Sequence, residues 1–313
     1  MNAPSPSPGT GNGRGNGKTV LLGEHAVVYG MPAIAAGISL GASARASAAP
    51  HASIRIVEQS AQRGDGSELA RALEQVCSEL GVGPHRVEVD VNLPLGSGLG
   101  GSAAIGVAVA RALLSASGEP ESEARVLAGA AAWERVFHGN PSGVDAAAAY
   151  HGGCIWFTKA AGPEPLLVGA PLELAICLAG PPASTKQMVD NVRQLGERRP
   201  DLLGKSLAGI EALVKNGRLC IEAGDRSGLG QLMNLNQMLL SGLFLSTAEI
   251  ERACAVAREA GALGAKLTGA GGGGAVIALA DESAAPIEAA FRAAGFTAFS
   301  TRIAASAGEG SAR

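Results

Sequence analysis

The alternation of apolar and polar positions divides the N-terminal half of the chain into strands and helices. Residues 32–47 are rich in strand formers, and residues 86–93 alternate valine with polar side chains, as a half-exposed strand does. Between them, helical periodicity predicts a helix that ends at Leu80, where the sequence GVGP stops it. The same periodicity predicts two more helices, over residues 104–116 and 121–137.

The C-terminal half mixes the two kinds of element without a regular alternation. GCIWFT and LELAICLAG are typical of strands, and AGPEPLLVGAP between them is predicted to be a loop or linker. Residues 202–262 are predicted to be mostly helix, and a strand, a helix and a strand follow. A doubly wound sheet would alternate strand and helix strictly, so the pattern predicts an α+β fold.

Length and local composition then predict the domain organisation. A chain of 313 residues suits two domains of common size. We expect one domain over residues 15–165 and a second over residues 166–305. The polar, proline-rich residues 1–14 and the polar residues 306–313 are predicted to be disordered.

Composition narrows the class of function. The formal net charge is −3 and aromatic residues make up 3% of the chain, which argues against binding to nucleic acid or to an anionic membrane surface. The 5 cysteines are scattered without a paired short spacing, which indicates free thiols in a reducing compartment. Neither a signal peptide nor a membrane-spanning apolar run is recognisable. We therefore expect a cytoplasmic globular protein.

The stretch GNGRGNGKTVLLG raises the question of a nucleotide-binding P-loop. Gly17, Lys18 and Thr19 match the close of a Walker A motif, but the glycine that the motif needs five positions before Gly17 is replaced by Asn12. A P-loop also follows a strand and opens a helix, whereas the apolar run TVLLG predicts a strand that begins at Lys18. Lys18 therefore needs another role.

A second glycine-rich stretch, PLGSGLGGSAA, lies between a predicted strand and a predicted helix. Gly96, Gly98 and Gly101 match a dinucleotide fingerprint, but a strand ending in an acidic residue about 20 positions later is missing, which argues against NAD. Accessible amides followed by a helix N-terminus instead predict a phosphate cradle. Ser102 at the helix entry is then either a helix cap or a ligand of phosphate-bound Mg²⁺.

Two carboxylates and a third glycine-rich stretch complete the candidate chemistry. Asp145 follows the tight turn of HGNPSGVD and is either a first-turn helix acid or a general base. Glu134, on a predicted helix, is either part of a solvated face or a ligand of a hard cation. KLTGAGGGGAVIAL is either a flexible loop or a second segment of backbone that a polyanionic ligand can approach.

These stretches, taken in this order, resemble the GHMP kinase superfamily over residues 15–280. The matching motifs are GNGKTVLLGEHAVVYG, PLGSGLGGSAA, HGNPSGVD, STKQMV and GALGAKLTGAGGGG. The resemblance implies two α+β domains, the first like ribosomal protein S5 domain 2 and the second ferredoxin-like, with the active site between them. It also implies an ATP- and Mg²⁺-dependent small-molecule kinase.

The resemblance also implies a role for each matching residue. Asp145 would take the proton of the acceptor hydroxyl, and Lys18 beside it would steady the transferring phosphate. Ser102 and Glu134 would hold Mg²⁺. The ATP phosphates would be bound by Gly96, Ser97, Gly98, Leu99, Gly100, Gly101 and Ser102. The acceptor would be contacted by Glu24, His25, Thr185 and Gly271.

Within the superfamily, HGNPSGVD together with STKQMV favours (R)-mevalonate as the acceptor, and the chain is expected to act as a monomer or a homodimer. Phosphomevalonate, homoserine or a sugar as acceptor, or a non-catalytic nucleotide sensor, are the alternatives. Three positions depart from the family pattern: Asn16 replaces the usual proline before Gly-Lys, Gly101 replaces a serine, and Ala275 replaces a cysteine.

Overall fold

The computed structural model describes residues 9–56, 59–62, 65–94, 96–138, 142–181 and 183–306. Disorder is predicted for residues 1–14 and 306–313; of these, residues 1–8 and 307–313 lie outside the described residues, as do residues 139–141 within HGNPSGVD. Residues 10–14 belong to a β-strand, so the prediction of disorder is wrong for them.

The described residues contain strands and helices in a mixed order. The strands are β1 (Thr10–Leu22), β2 (Ala33–Ala48), β3 (Ser53–Ile56), β4 (Gln59–Gln62), β5 (His85–Val91), β6 (Cys154–Thr158), β7 (Gly162–Pro165), β8 (Leu172–Leu178), β9 (Gly264–Thr268), β10 (Ala275–Ala280) and β11 (Thr297–Ile303). The helices are α1 (Glu68–Leu80), α2 (Gly101–Ala116), α3 (Glu123–His138), α4 (Val144–His151), α5 (Thr185–Arg198), α6 (Pro200–Ala223), α7 (Arg226–Gly242), α8 (Ala248–Glu259) and α9 (Ala285–Ala293). A short 3₁₀ helix covers Ala26–Tyr29. The predicted α+β class is confirmed.

One compact unit comprises the described residues of 1–18, 39–94 and 100–152. In this unit, β5 pairs antiparallel with the second half of β2 and parallel with β3, and β4 pairs with β3. Helix α2 forms the centre of the unit, because 12 of its 16 residues are buried and it packs mainly against α3, α4 and β5. Helix α1 ends at Leu80 as predicted, and the hydroxyl of Ser67 accepts a hydrogen bond from the Ala70 N–H to cap its start.

Strand β1 begins at Thr10, well before Lys18, where the sequence predicts its start. Its first half alternates glycines, and a Cβ atom at Gly13 or Gly15 would lie 2.1 Å from the carbonyl oxygen of Ala108 or Ala104 on α2. Two residues of strand and four residues of helix both advance the chain by about 6 to 7 Å. The alternating glycines therefore allow the bare backbone of β1 to lie directly along α2.

The second unit comprises the described residues of 19–38, 95–99 and 153–313. Its four-stranded antiparallel sheet has the order β11-β8-β10-β9, so β9 lies at an edge. Helix α7 covers that edge: Gln237 accepts a hydrogen bond from the Leu267 N–H at 2.8 Å, and Asn234 accepts one from the Ala265 N–H at 3.1 Å. These side chains satisfy strand amides that would otherwise be open.

Two strands, β7 and β4, were missed in the sequence pattern. AGPEPLLVGAP contains β7, which pairs antiparallel with β6, with Pro163 opposite Phe157 and Pro165 opposite Ile155. Among the described strands, β7 pairs only with β6 and therefore lies at a sheet edge, where proline is tolerated because the N–H that it lacks is not needed for pairing. The polar strand β4 was missed because it has no apolar period.

The remaining general features concern cysteines and membranes. All 5 cysteines are free thiols, and each is buried except Cys220, which is partly exposed. Within the part of the chain that the structure describes, no helix is long and apolar enough to cross a membrane.

Candidate active site

Lys18 and Asp145, the two predicted catalytic residues, form an ion pair within the first unit. Lys18 lies in β1, and Asp145 is the second residue of α4. The Lys18 Nζ lies 3.0 Å from Asp145 Oδ1, and the two side chains are 5% and 37% exposed, respectively. The carboxylate is thus held by a buried cation while part of it remains open to an incoming molecule. Asp145 does lie in the first turn of α4, where an acid stabilises the helix. That role does not require a buried lysine beside the carboxylate, so the ion pair favours the general-base alternative.

Gly100 allows Lys18 to reach this position. Gly100 has a positive φ of 76°, and a Cβ atom there would lie 2.6 Å from the Lys18 Cγ. A side chain at this position would therefore be strained and would push against the lysine stem.

Ser102 and Glu134 supply two buried oxygens without hydrogen-bond partners in the described part of the chain. These atoms are Ser102 Oγ in α2 and Glu134 Oε2 in α3. Gly100, not Ser102, is the N-cap of α2, and Glu134 is only 4% exposed, so neither the cap nor the solvated-face alternative fits. A buried polar atom without a partner costs free energy, which marks both oxygens as candidate ligand-binding atoms.

The predicted phosphate loop has open backbone at two of its glycines. A Cβ atom at Gly96 or Gly98 would have nothing within 4 Å, whereas Ser97 and Leu99 between them are buried. The loop leads into α2, a helix of 16 residues that begins at Gly101. Exposed amides before a helix N-terminus suit a phosphate group.

Glu24 lies in a buried ionic cluster of the second unit. One of its carboxylate oxygens contacts the Lys266 Nζ, and the other accepts a hydrogen bond from the Asn236 Nδ2 at 2.9 Å. The side chains of Glu24 and Lys266 are both 0% exposed. The Lys266 ammonium also donates to the Leu267 carbonyl at 2.6 Å. The cluster fixes the turn that presents the next residue, His25.

His25 is held in an uncommon backbone conformation beside the third glycine-rich stretch. Its φ is 61°, and its Nε2 lies 2.8 Å from the carbonyl oxygen of Ala270. Burial lowers the pKa of His25, although the bond to Ala270 and the charge of Glu24 both act to raise it. The imidazole is therefore neutral at pH 7, with Nε2 donating its proton to the carbonyl.

The third glycine-rich stretch is a shaped loop rather than a flexible connection. A Cβ atom at Gly271 would lie 2.4 Å from the Leu245 carbonyl oxygen, and the Gly272 N–H donates to the same carbonyl at 2.8 Å. The backbone of the loop can pass beside Leu245 only because glycine has no side chain. Thr185, predicted to contact the acceptor, is the exposed first residue of α5, a helix of 14 residues.

Sequence reasoning missed Lys266 and Asn236. Lys266 lies in the apolar strand β9 and is 242 residues from Glu24 along the chain, so no local pattern joins them. The available signal was a charged residue inside the otherwise apolar sequence GAKLT, because lysine is almost never fully buried without a partner.

Comparison with known proteins identifies the family. Residues 67–153 match the model for the GHMP kinases N terminal domain, and residues 210–296 match the model for the GHMP kinases C terminal domain. A curated mevalonate kinase of Thermococcus sibiricus is 33% identical over 91% of this chain and 94% of its own length. The chain belongs to the GHMP kinase family.

Two further comparisons agree with this assignment. A curated mevalonate kinase of Methanothermobacter thermautotrophicus is 33% identical over 83% of this chain and 87% of its own length. The crystal structure of L. major mevalonate kinase in complex with R-mevalonate has a TM-score of 0.86 and 30% identity, covering 98% of this chain and 100% of that chain. The predicted GHMP kinase family and its two-domain α+β fold are confirmed, and the protein is an ATP-dependent kinase.

The residues present in this GHMP kinase fit a divalent cation. Oxygen is the ligand that Mg²⁺ prefers, usually one or two protein side chains together with phosphate and water. The two orphaned oxygens, Ser102 Oγ and Glu134 Oε2, are both of this type. The role of each predicted site residue nevertheless remains a prediction.

The electrostatics of Glu134 agree with a cation-binding role. Burial raises the pKa of its carboxyl from 4.5 to about 8; the nearby charge of Asp145 adds to the shift and that of Lys18 opposes it. Without a cation, the carboxyl is therefore mostly protonated at pH 7. A bound divalent cation would favour the ionised form and release the proton.

We expect Glu134→Gln to flatten the pH dependence of stability in the metal-free protein. Because the pKa of Glu134 is about 8 when folded and near 4.5 when unfolded, the folded state holds the extra proton between these values. The free energy of unfolding then falls as the pH rises through this window, and glutamine removes that loss. Thermal unfolding measures this effect. The melting temperature of Glu134→Gln minus that of the native protein should be larger at pH 8.5 than at pH 5.5.

The matched control for this prediction is Glu249→Gln, since Glu249 is an exposed helical glutamate. The difference in melting temperature between Glu249→Gln and the native protein should stay constant over the same pH range. If Glu134→Gln also gives a constant difference, the buried carboxyl has an ordinary pKa and the interpretation is wrong.

Proposed function

We propose that this GHMP kinase transfers the terminal phosphoryl group of ATP to the primary hydroxyl of (R)-mevalonate, forming 5-phosphomevalonate. The observation that carries the proposal is the pairing of the partly open Asp145 carboxylate with the buried ammonium of Lys18. A nucleotide sensor has no need of a general base. Mevalonate as the acceptor is supported by the relatives that carry the name mevalonate kinase at 33% identity.

The acceptor hydroxyl gives its proton to the Asp145 carboxylate while its oxygen forms a bond to the terminal phosphorus of ATP. The bond between that phosphorus and the bridging oxygen breaks, and ADP leaves with the electron pair. Lys18, 3.0 Å from Asp145, places a positive charge where the acceptor oxygen and the transferring phosphoryl group carry negative charge. Such transfers depend on positioning and electrostatic stabilisation.

The nucleotide side of the site is assigned to the loop of residues 96–101 and to the orphaned oxygens. The amides of the loop and of the α2 N-terminus would hold the phosphates. Ser102 and Glu134 would hold Mg²⁺, which neutralises phosphate charge when it is bound. Because Gly101 stands where a serine is expected, Ser102 is the residue at this helix entry that would offer a hydroxyl to the phosphate or to Mg²⁺.

The acceptor side is assigned to His25, Thr185 and Gly271, with Glu24 holding His25 in place through its buried contacts. Thr185 is the first residue of α5, and Ser184 before it makes no side-chain capping bond in the described residues. The first amides of a helix that lacks a capping side chain attract an anion. This favours an acceptor that carries a carboxylate, as mevalonate does, over a neutral sugar.

An ADP-release assay over four acceptors tests the proposal. Purified protein with Mg²⁺ and ATP is offered (R)-mevalonate, phosphomevalonate, homoserine or galactose, with a reaction lacking acceptor as the control. We expect ADP release above this control with mevalonate and far less with the other three. Release with a different acceptor would assign that substrate instead, and no release with any of them would identify a nucleotide sensor.

A further inference from the structure

The placement of Asp145 depends on a very short helix. Helix α4 has 8 residues, and an isolated helix of that length is not stable in water. Its position relative to Lys18 in β1 must therefore come from tertiary contacts. Its buried residues pack against α2 and α3, and hydrogen bonds at its C-terminal end add a direct tie to β1.

The last turn of a helix leaves carbonyl groups without partners inside the helix. In α4, the Ala149 carbonyl accepts a hydrogen bond from the Asn16 Nδ2 at 3.2 Å, and the Tyr150 carbonyl accepts one from Arg111 at 3.3 Å. Asn16 lies in β1, two positions before Lys18. Its side chain thus joins the strand that carries the lysine to the helix that carries the base.

Gly152 makes room for this contact. It follows α4 with a positive φ of 72°, and a Cβ atom there would lie 2.7 Å from the Asn16 Nδ2. Any other residue at position 152 would be strained and would collide with the Asn16 amide. The chain therefore has both the donor and the space that the donor needs.

We propose that Asn16 is a positioning residue that fixes the separation of Lys18 and Asp145 by tying β1 to the end of α4. The tether needs a side-chain donor at position 16, and in this chain asparagine supplies it. The inference deepens the proposed function, because it rests on Lys18 and Asp145 acting together. Loss of the tether lets Asp145 shift relative to Lys18, and displacement of a catalytic group by about 1 Å can lower a rate by about 100-fold.

The test compares Asn16→Ala and Asn16→Asp with the matched control Asn12→Ala, which truncates an exposed asparagine of the same strand. We expect Asn16→Ala to lower kcat by about 10- to 100-fold with little change in either KM. Asn16→Asp should be at least as impaired, because a carboxylate would face a carbonyl at the negative end of a helix. Asn12→Ala should resemble the native protein.

A double variant separates positioning from a general structural effect. In a Lys18→Met background the ion pair is absent, so adding Asn16→Ala should not lower the residual kcat further. The inference is overturned if Asn16→Ala keeps kcat within twofold of the native value. It is equally overturned if the reduction is as large in the Lys18→Met background.

Amide hydrogen exchange distinguishes failure of this inference from failure of the proposed function. Asn16→Ala should speed exchange in the peptide that contains Val144–His151, and this readout needs no substrate. If the native protein does not phosphorylate mevalonate, the proposed acceptor is wrong, and exchange in α4 alone decides whether the tether exists. Unchanged exchange in that peptide would overturn the tether whatever the acceptor.

Discussion

Asp145→Asn is expected to lower turnover by about 1,000-fold or more while ATP binding stays within about twofold of the native value. A general base contributes roughly 100- to 10,000-fold to a proton transfer, and asparagine cannot accept the proton of the acceptor hydroxyl. Asparagine has nearly the same size and shape as aspartate, so the substitution leaves no cavity beside Lys18. ADP release measures turnover, and isothermal calorimetry measures the dissociation constant of ATP.

The matched control for this prediction is Asp281→Asn. Asp281 also pairs with a cation, Arg226, at 3.1 Å, but its side chain is 65% exposed. Turnover of this variant should equal that of the native protein. The assignment of Asp145 as the base is wrong if Asp145→Asn retains more than a tenth of native turnover while its melting temperature is unchanged.

The elements with strong periodicity could be predicted from the sequence. The end of α1 at Leu80 follows from a buried apolar stripe closed by a glycine, and β5 follows from valines alternating with polar residues. The glycine-rich motifs, taken in their order along the chain, were also sufficient to recognise the GHMP kinase family, which the family models confirm.

The features that could not be predicted from the sequence depend on contacts between distant segments of the chain. The first half of β1 has glycines where a strand would show apolar residues, and they are explained only by the backbone of α2 against them. The burial of Glu134 was hidden for a similar reason, because a helical glutamate has the same local pattern whether it faces solvent or the interior. Asn16 and Ala149 are 133 positions apart, so the partner of the Asn16 side chain became visible only in three dimensions.

Lys266→Met is expected to lower the free energy of unfolding by about 3–5 kcal/mol, because it leaves the Glu24 carboxylate buried without its counter-ion. The side chains of both residues are 0% exposed, so water cannot replace the lost ammonium without opening the structure. Methionine has a length similar to that of lysine but carries no charge. The lost stability therefore reports the missing charge rather than a cavity. Urea unfolding at pH 7 measures the effect.

Two further variants decide whether the cause is the buried charge. Lys215→Met removes an ammonium that pairs with Glu211 at 2.7 Å but is 62% exposed, and it should cost less than about 1 kcal/mol. Adding Glu24→Gln to Lys266→Met removes the stranded carboxylate, so the double variant should be more stable than Lys266→Met alone. If Lys266→Met costs no more than Lys215→Met, or if the second substitution destabilises the protein further, then Lys266 is not the counter-ion that holds Glu24 and the turn at His25.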